Sequence, residues 1–194
     1  MRITNLNPDT AIGASAWLVQ MDEDRILLDA GVHPKREGRE GLPLYDRIKG
    51  QEVDAIAISH CHHDHVGSLP VALRYFPHAD VLMTELSYFL VERVLHNSVN
   101  VMTRQREEIG EMSYPLFTHR ETDRASERWR WCPLRQRISI AGERASQREK
   151  DALTFEFFEA GHVLGSAGIL LREEGRRPGK ILVDGRRDSL RLCR

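Results

Sequence analysis

Ser59-His60-Cys61-His62-His63-Asp64-His65-Val66-Gly67 is the stretch whose reading decides the fold. It directly follows Val53-Asp54-Ala55-Ile56-Ala57-Ile58, a nearly all-apolar run. Such a run predicts a strand buried on both faces, in the middle of its sheet. The histidines therefore begin where a central strand gives way to a loop. Imidazoles and a carboxylate on one tight loop are ligands suited to zinc, or to manganese or iron in its place. Side chains two apart in extended backbone point the same way, so His60 and His62 can converge on one ion. Asp64 and His65 follow as the chain turns, and face a neighbouring ion. Gly67 permits backbone that other residues resist. A lone histidine is usually surface or core; H-x-H-x-D-H after a buried strand is a metal pattern. His63 falls outside the ligand set, and Cys61 reads as a half-buried thiol.

A second mark, Ala160-Gly161-His162-Val163-Leu164-Gly165-Ser166, follows about a hundred residues later. His162 stands at the end of the strand pattern Leu153 to Phe158. A catalytic zinc commonly has three protein ligands and one open position. His60, His62 and His162 meet that count. Asp29, in Leu27-Leu28-Asp29-Ala30-Gly31, sits at another strand end. Spacing leaves it open as a brace for a ligand imidazole or as a polar strand cap. His33, His78, His96 and His119 carry no supporting pattern.

Along the chain, Ala16 to Val19 and Arg25 to Leu28 read as strands joined by an acidic turn. Residues 32 to 51 read as a long loop with about one helical turn. Ser68 or Gly67 caps a helix in which Pro70 occupies the first turn. Ala79 to Met83 is a strand. Thr84 caps a helix with an apolar stripe of Leu86, Phe89, Leu90, Val94 and Leu95. A weaker helix is expected over 101–112 and irregular chain over 113–135. Strands follow at 136–140, 153–158, 167–171 and 180–183, with a charged excursion at 142–151 and a hairpin-like 173–179. Neighbouring strands without a helix between them argue for a layered α/β fold rather than a pure doubly wound sheet.

The chain has 194 residues, enough for one good core. With 28 basic and 29 acidic residues it is no global magnet for polyanions. The arginine-rich stretches near 124–137 and 176–187 are mixed with acids and read as solvated surface. Trp129 and Trp131 offer either base stacking or cover for a sheet edge. Cys61, Cys132 and Cys193 form neither a disulfide framework nor a metal knuckle, which fits a reducing compartment. No apolar run has the length of a membrane span or of a signal-peptide core. The expectation is a cytoplasmic protein with no membrane contact.

The two histidine motifs resemble the metallo-β-lactamase fold, an α/β αββα sandwich. The Ala160 to Ser166 motif resembles its β-CASP branch, whose members process RNA or act on DNA. Thr84-Glu85 and the helix after it resemble that branch too. The resemblance implies that His60, His62 and His162 bind one metal and that Asp64 and His65 bind a second. It implies that Asp29 braces the metal loop, so that Asp29 and Asp64 are the carboxylates serving catalysis. The implied cofactor is zinc, in two sites. The implied reaction is hydrolysis of single-stranded RNA by metal-activated water, with Asp64 doubling as ligand and orienter of the nucleophile.

One strand departs from the branch pattern. Its Thr-Gly-Asp ending, with a metal-bridging aspartate, is replaced here by Val183-Asp184-Gly185-Arg186-Arg187-Asp188. Arg186 aligns with the bridging carboxylate, and a guanidinium cannot ligate a cation. Asp184 and Asp188 flank that position. The β-CASP helical domain and the later histidines of the pattern do not appear before Arg194. Residues 1–194 are therefore expected to be one partial metallo-β-lactamase-like domain, incomplete at its C-terminus. One zinc rather than two is the expectation, with self-association through exposed sheet edges. Two other readings are a thioester or lactam hydrolase on the same fold, and an inactive one-metal fragment.

Overall fold

The computed structural model describes residues 1–8, 13–21, 23–143, 153–173, 180–184 and 189–193. Two sheets lie face to face. The first has the order β1-β2-β3-β4-β5-β6. Its strands are β1 (Arg2–Asn5), β2 (Trp17–Met21), β3 (Asp24–Leu28), β4 (Ala55–Ala57), β5 (Asp80–Thr84) and β6 (Trp129–Cys132). β1, β2 and β3 pair antiparallel, and β3 through β6 pair parallel. The second sheet has the order β11-β10-β9-β8-β7, all antiparallel. It holds β7 (Arg137–Ser139), β8 (Leu153–Glu159), β9 (Ala167–Glu173), β10 (Lys180–Asp184) and β11 (Ser189–Cys193).

Alternation along the strands builds two cores. Leu18, Leu27, Ile56, Val81 and Met83 face the helices. Val19, Leu28, Ala55, Ala57 and Leu82 face the second sheet, against Phe155, Phe157, Ile169 and Leu171. β4 is buried at every position, as its apolar run predicts. Full burial of one side chain such as Ile56 stabilises by about 2 kcal/mol. The helices are α1 (His63–Val66), α2 (Leu69–Tyr75), α3 (Glu85–Ile109) and α4 (His119–Ser126). They cover the outer face of the first sheet. Among the described residues no helix covers the outer face of the second sheet, and none is long and apolar enough to cross a membrane.

Several expectations are corrected. Residues 101–109 continue α3 rather than forming a separate weak helix, and Gly110 ends it in the left-handed conformation. The stretch 113–135 is not irregular. Thr118 and Glu121 form a reciprocal capping box that starts α4, and β6 follows. Both were hidden by high polarity, which masks an eight-residue helix. The buried stripe of α3 runs through Ser87, Val91, Leu95, Ser98, Val99 and Met102. Leu86 and Phe89 are exposed. Ser68 occupies the cap position of α2 without capping, because its Oγ bonds the buried Tyr45 hydroxyl at 2.7 Å. Most of the hairpin 173–179 and of the excursion 142–151 lies outside the described residues.

Candidate metal centre

The candidate site sits at the C-terminal ends of the parallel strands, where ligand sites of α/β sheets gather. β3 delivers Asp29, β4 delivers Ser59 and His60, and β5 delivers Thr84. After His60 the chain bends at Cys61 and is extended at His62, which has φ −66° and ψ 148° and precedes α1. α1 then carries Asp64 and His65, and the His65 ring lies 4.0 Å from that of His60, centroid to centroid. His60 and His65 are buried, Asp64 is half-buried, and His62 and His162 are exposed.

Three imidazoles converge. His60 Nε2 lies 3.2 Å from His62 Nδ1, and His162 Nε2 lies 3.3 Å from the same atom. All three nitrogens fall within 4.8 Å of one another. Zinc–nitrogen bonds in a tetrahedral site imply nitrogen–nitrogen edges of about 3.3 Å. The triad fits such an ion. Burial first, and then the neighbouring His65, push His60 down to about 3, so its ring is neutral and able to ligate. His62 is lowered by burial and then by His162.

Buried hydrogen bonds orient the rings. Asp29 is fully buried. Its Oδ1 accepts from Ser59 N at 2.7 Å. Its Oδ2 accepts from Ser59 Oγ at 2.9 Å and from His65 Nδ1 at 2.7 Å. Ser59 Oγ in turn lies 3.0 Å from His60 Nδ1. With its hydroxyl proton given to Asp29, this oxygen accepts from His60. Both rings thereby keep their Nδ1 protons inward and turn unprotonated Nε2 atoms outward. Asp29, expected among the catalytic carboxylates, has its oxygens occupied by Ser59 and His65. Ser15 Oγ also donates to its Oδ2 at 3.3 Å, so both oxygens point into the protein, as the expected brace of the loop would have them.

The other expected metal position is represented by Asp64 and His65, whose Oδ2 and Nε2 lie 3.7 Å apart. Backbone packing fixes this pair. Ser15 N donates to Asp64 O at 2.8 Å, and Ala30 N donates to His65 O at 2.8 Å. A side chain on Gly31 would lie 1.7 Å from Asp64 O, so only glycine lets these segments touch. Arg186 and Asp188 lie outside the described residues. Asp184 ends β10, and its side chain lies outside them too.

His162 arrives on a loop bent by Gly161 (φ 64°) and Gly165 (φ 80°). Ser166 Oγ accepts from the backbone N–H groups of His162 and Val163 at 3.0 and 3.1 Å. Thr84 Oγ1 and Ser87 Oγ both donate to Gly165 O, at 2.6 and 3.1 Å. The start of α3 therefore holds the loop that carries the third imidazole. Ser59, Ser166 and Ser87 had no assigned role in the sequence. Only the placement of Ser59 and Ser166 inside the two histidine motifs hinted at one.

Beside His162 opens a cleft of about 600 Å³, lined in part by Leu86, Trp131, Leu134 and Leu164. The structure separates the two tryptophans. Trp129 packs in the helical core, while Trp131 is 54% exposed in this cleft. Burial raises both Cys61 and Cys132, the latter to about 12, so neither thiol is activated.

The family model of the metallo-beta-lactamase superfamily matches residues 9–177. The chain belongs to that superfamily. Endoribonuclease YSH1 of Eremothecium gossypii is 29% identical over 178 residues, covering 91% of this chain and 22% of the relative. Cleavage and polyadenylation specificity factor 73 of Drosophila melanogaster is 26% identical over 186 residues, covering 95% and 24%. The chain thus spans about a fifth to a quarter of these relatives' length. Solved structures share its fold. A metallo-β-lactamase of Cronobacter sakazakii aligns with a TM-score of 0.56 at 14% identity, covering 93% of this chain and 60% of that one. MEM-A1, a subclass B3 metallo-β-lactamase from a soil metagenome library, aligns at 0.53 with 19% identity, covering 93% and 58%.

Proposed function

We propose that this chain is the metal-binding core of an RNA-processing hydrolase of the β-CASP type, cleaving phosphodiester bonds of single-stranded RNA. The observation that carries the reading is the triad of His60, His62 and His162, with nitrogen spacings of 3.2 and 3.3 Å. Relatives that are named endoribonucleases support the substrate class. His60, His62 and His162 would hold one zinc. Asp64 and His65 present donors to a second, whose remaining carboxylate is sought at Asp184 or Asp188. Zinc, when bound, supplies Lewis-acid activation of water and of the scissile phosphate. Asp64 orients the nucleophile and can take its proton at a carboxylate oxygen. Asp29 and Ser59 keep the ring nitrogens aimed. Trp131 offers a base a stacking face beside His162. A cytoplasmic location and self-association through sheet-edge strands such as β1 and β6 belong to the same proposal.

The test is incubation of the zinc-loaded protein with end-labelled single-stranded RNA, beside a chromogenic lactam and a thioester. RNA cleavage that is absent in His62→Ala supports the reading. Lactam or thioester turnover with intact RNA transfers the same centre to the other hydrolase class. One tightly held zinc without turnover of any substrate identifies a metal-binding fragment.

A further inference from the structure

Helices α3 and α4 carry another set of ligand-type side chains, separate in sequence from both histidine motifs. Glu92 and His96 stand four residues apart on α3, and so share a face. His119 and Asp123 do the same on α4. The two helices pack against each other, and single ligand atoms of Glu92, His96 and Asp123 lie within 4.8 Å of one another.

The hydrogen bonds around His96 fix what its ring presents. His119 Nε2 lies 3.2 Å from Asn100 Oδ1, an acceptor, so this nitrogen carries the proton. In the tautomer with that proton, His119 Nδ1 accepts from His96 Nδ1, 2.8 Å away. His96 Nε2 then faces Asp123 Oδ1 at 3.3 Å. The Glu92 carboxylate brings a second acidic group to the same spot. Two carboxylates and a ring nitrogen so placed favour a positive charge among them. A proton on His96 would satisfy one carboxylate. A divalent cation satisfies both carboxylates and the imidazole together. The 3.3 Å separation also matches the nitrogen–oxygen edge of a tetrahedral zinc site, about 3.3 Å. A ligand imidazole whose other nitrogen donates to a fixed partner is the usual arrangement at metal sites.

We propose that Glu92, His96 and Asp123 form a peripheral divalent-cation site that takes zinc or an ion of similar preference. His119 and Asn100 position His96. The ion fastens α4 to α3, and water fills its remaining positions, since Glu92 and Asp123 face solvent.

Zinc titration of metal-free protein against a chromophoric chelator tests this. The wild type takes up one more equivalent than His96→Gln or Asp123→Asn, while both variants keep the equivalent of the histidine triad. His119→Ala weakens the extra site by roughly 10-fold or more. A His62→Ala/His162→Ala variant, untouched on α3 and α4, keeps this equivalent and loses the other. Equal stoichiometry and affinity in the wild type, His96→Gln and Asp123→Asn overturn the proposal. Imidazole ¹⁵N spectra give a second readout. Zinc shifts the Nε2 resonance of His96 if the site binds. A protonated Nε2 unmoved by saturating zinc reduces the cluster to a His96–Asp123 ion pair and likewise overturns it.

Discussion

Asp29 Oδ2 and His65 Nδ1 meet at 2.7 Å across 36 positions of sequence, inside the protein. The bond ties the end of β3 to the histidine loop and fixes which nitrogen of His65 faces outward. Asp29 holds φ 60°, a left-handed conformation that aspartate tolerates better than most residues. Asp29→Asn keeps the shape but replaces one acceptor oxygen with a donor, opposite Ser59 or His65. Zinc affinity should fall roughly 10- to 100-fold, and unfolding stability by about 2 kcal/mol. Chelator competition and urea unfolding measure the two effects. Unchanged zinc affinity would remove Asp29 from its positioning role.

His162 is exposed and borne on a surface loop, so His162→Ala should leave the fold intact. Zinc affinity at the triad should drop by more than about 100-fold, beyond the loss of an outer partner. Circular dichroism with metal analysis separates the outcomes; retained zinc would exclude His162 as a ligand.

Gly31→Ala places a methyl group 1.7 Å from Asp64 O, a backbone atom that cannot swing aside. The cost should be about 3 kcal/mol, at the upper end for overpacking. Asp64 and His65 must shift with it. Urea unfolding checks the stability, and a second-equivalent zinc titration checks the shift.

Thr84→Val keeps the shape of the side chain but removes the cap of α3 and the donor to Gly165 O. Stability should fall by about 1 kcal/mol, as for a lost cap. If this contact aims the loop, zinc leaves the triad faster than in the wild type. An off-rate equal to wild type would show that Ser87 and Ser166 suffice.

Metal-free protein should lose stability in acid through His60. Its ordinary value of 6.5 is lowered by burial to about 3 in the folded chain. Above 6.5 neither state binds this proton. As pH falls from 6.5 toward 3, the unfolded state binds it and the folded state does not, so stability declines. Urea midpoints of the wild type should fall more steeply over that window than those of His60→Gln. Parallel slopes would refute the assignment.

The candidate centre was legible because its donor residues stand in two short motifs at strand ends. A continuous apolar run marked β4 and alternation marked β8, and thus where those motifs begin. Of the supporting contacts only the Asp29 brace was anticipated, through the family resemblance; the others were not legible. Asp29, Ser59 and His65 meet through sheet pairing, and Thr84 reaches Gly165 over 81 positions. Spacing says nothing about such partners. α4 escaped because its buried face is only Thr122 and Ala125, too small for a hydrophobic signal. Leu86 and Phe89 misled because they lie at helical spacing but point to solvent.

The strands of the first sheet come in chain order and end at Cys132, and its helical core is complete by Trp129. All of the second sheet follows. During synthesis, the half bearing His60, His62, Asp64 and His65 can therefore emerge and condense before His162 is translated. The nascent chain then offers an ion only two of the three imidazoles. With the three imidazoles holding an ion as proposed, firm capture is expected to be a late step, reporting that the second sheet has docked on the first.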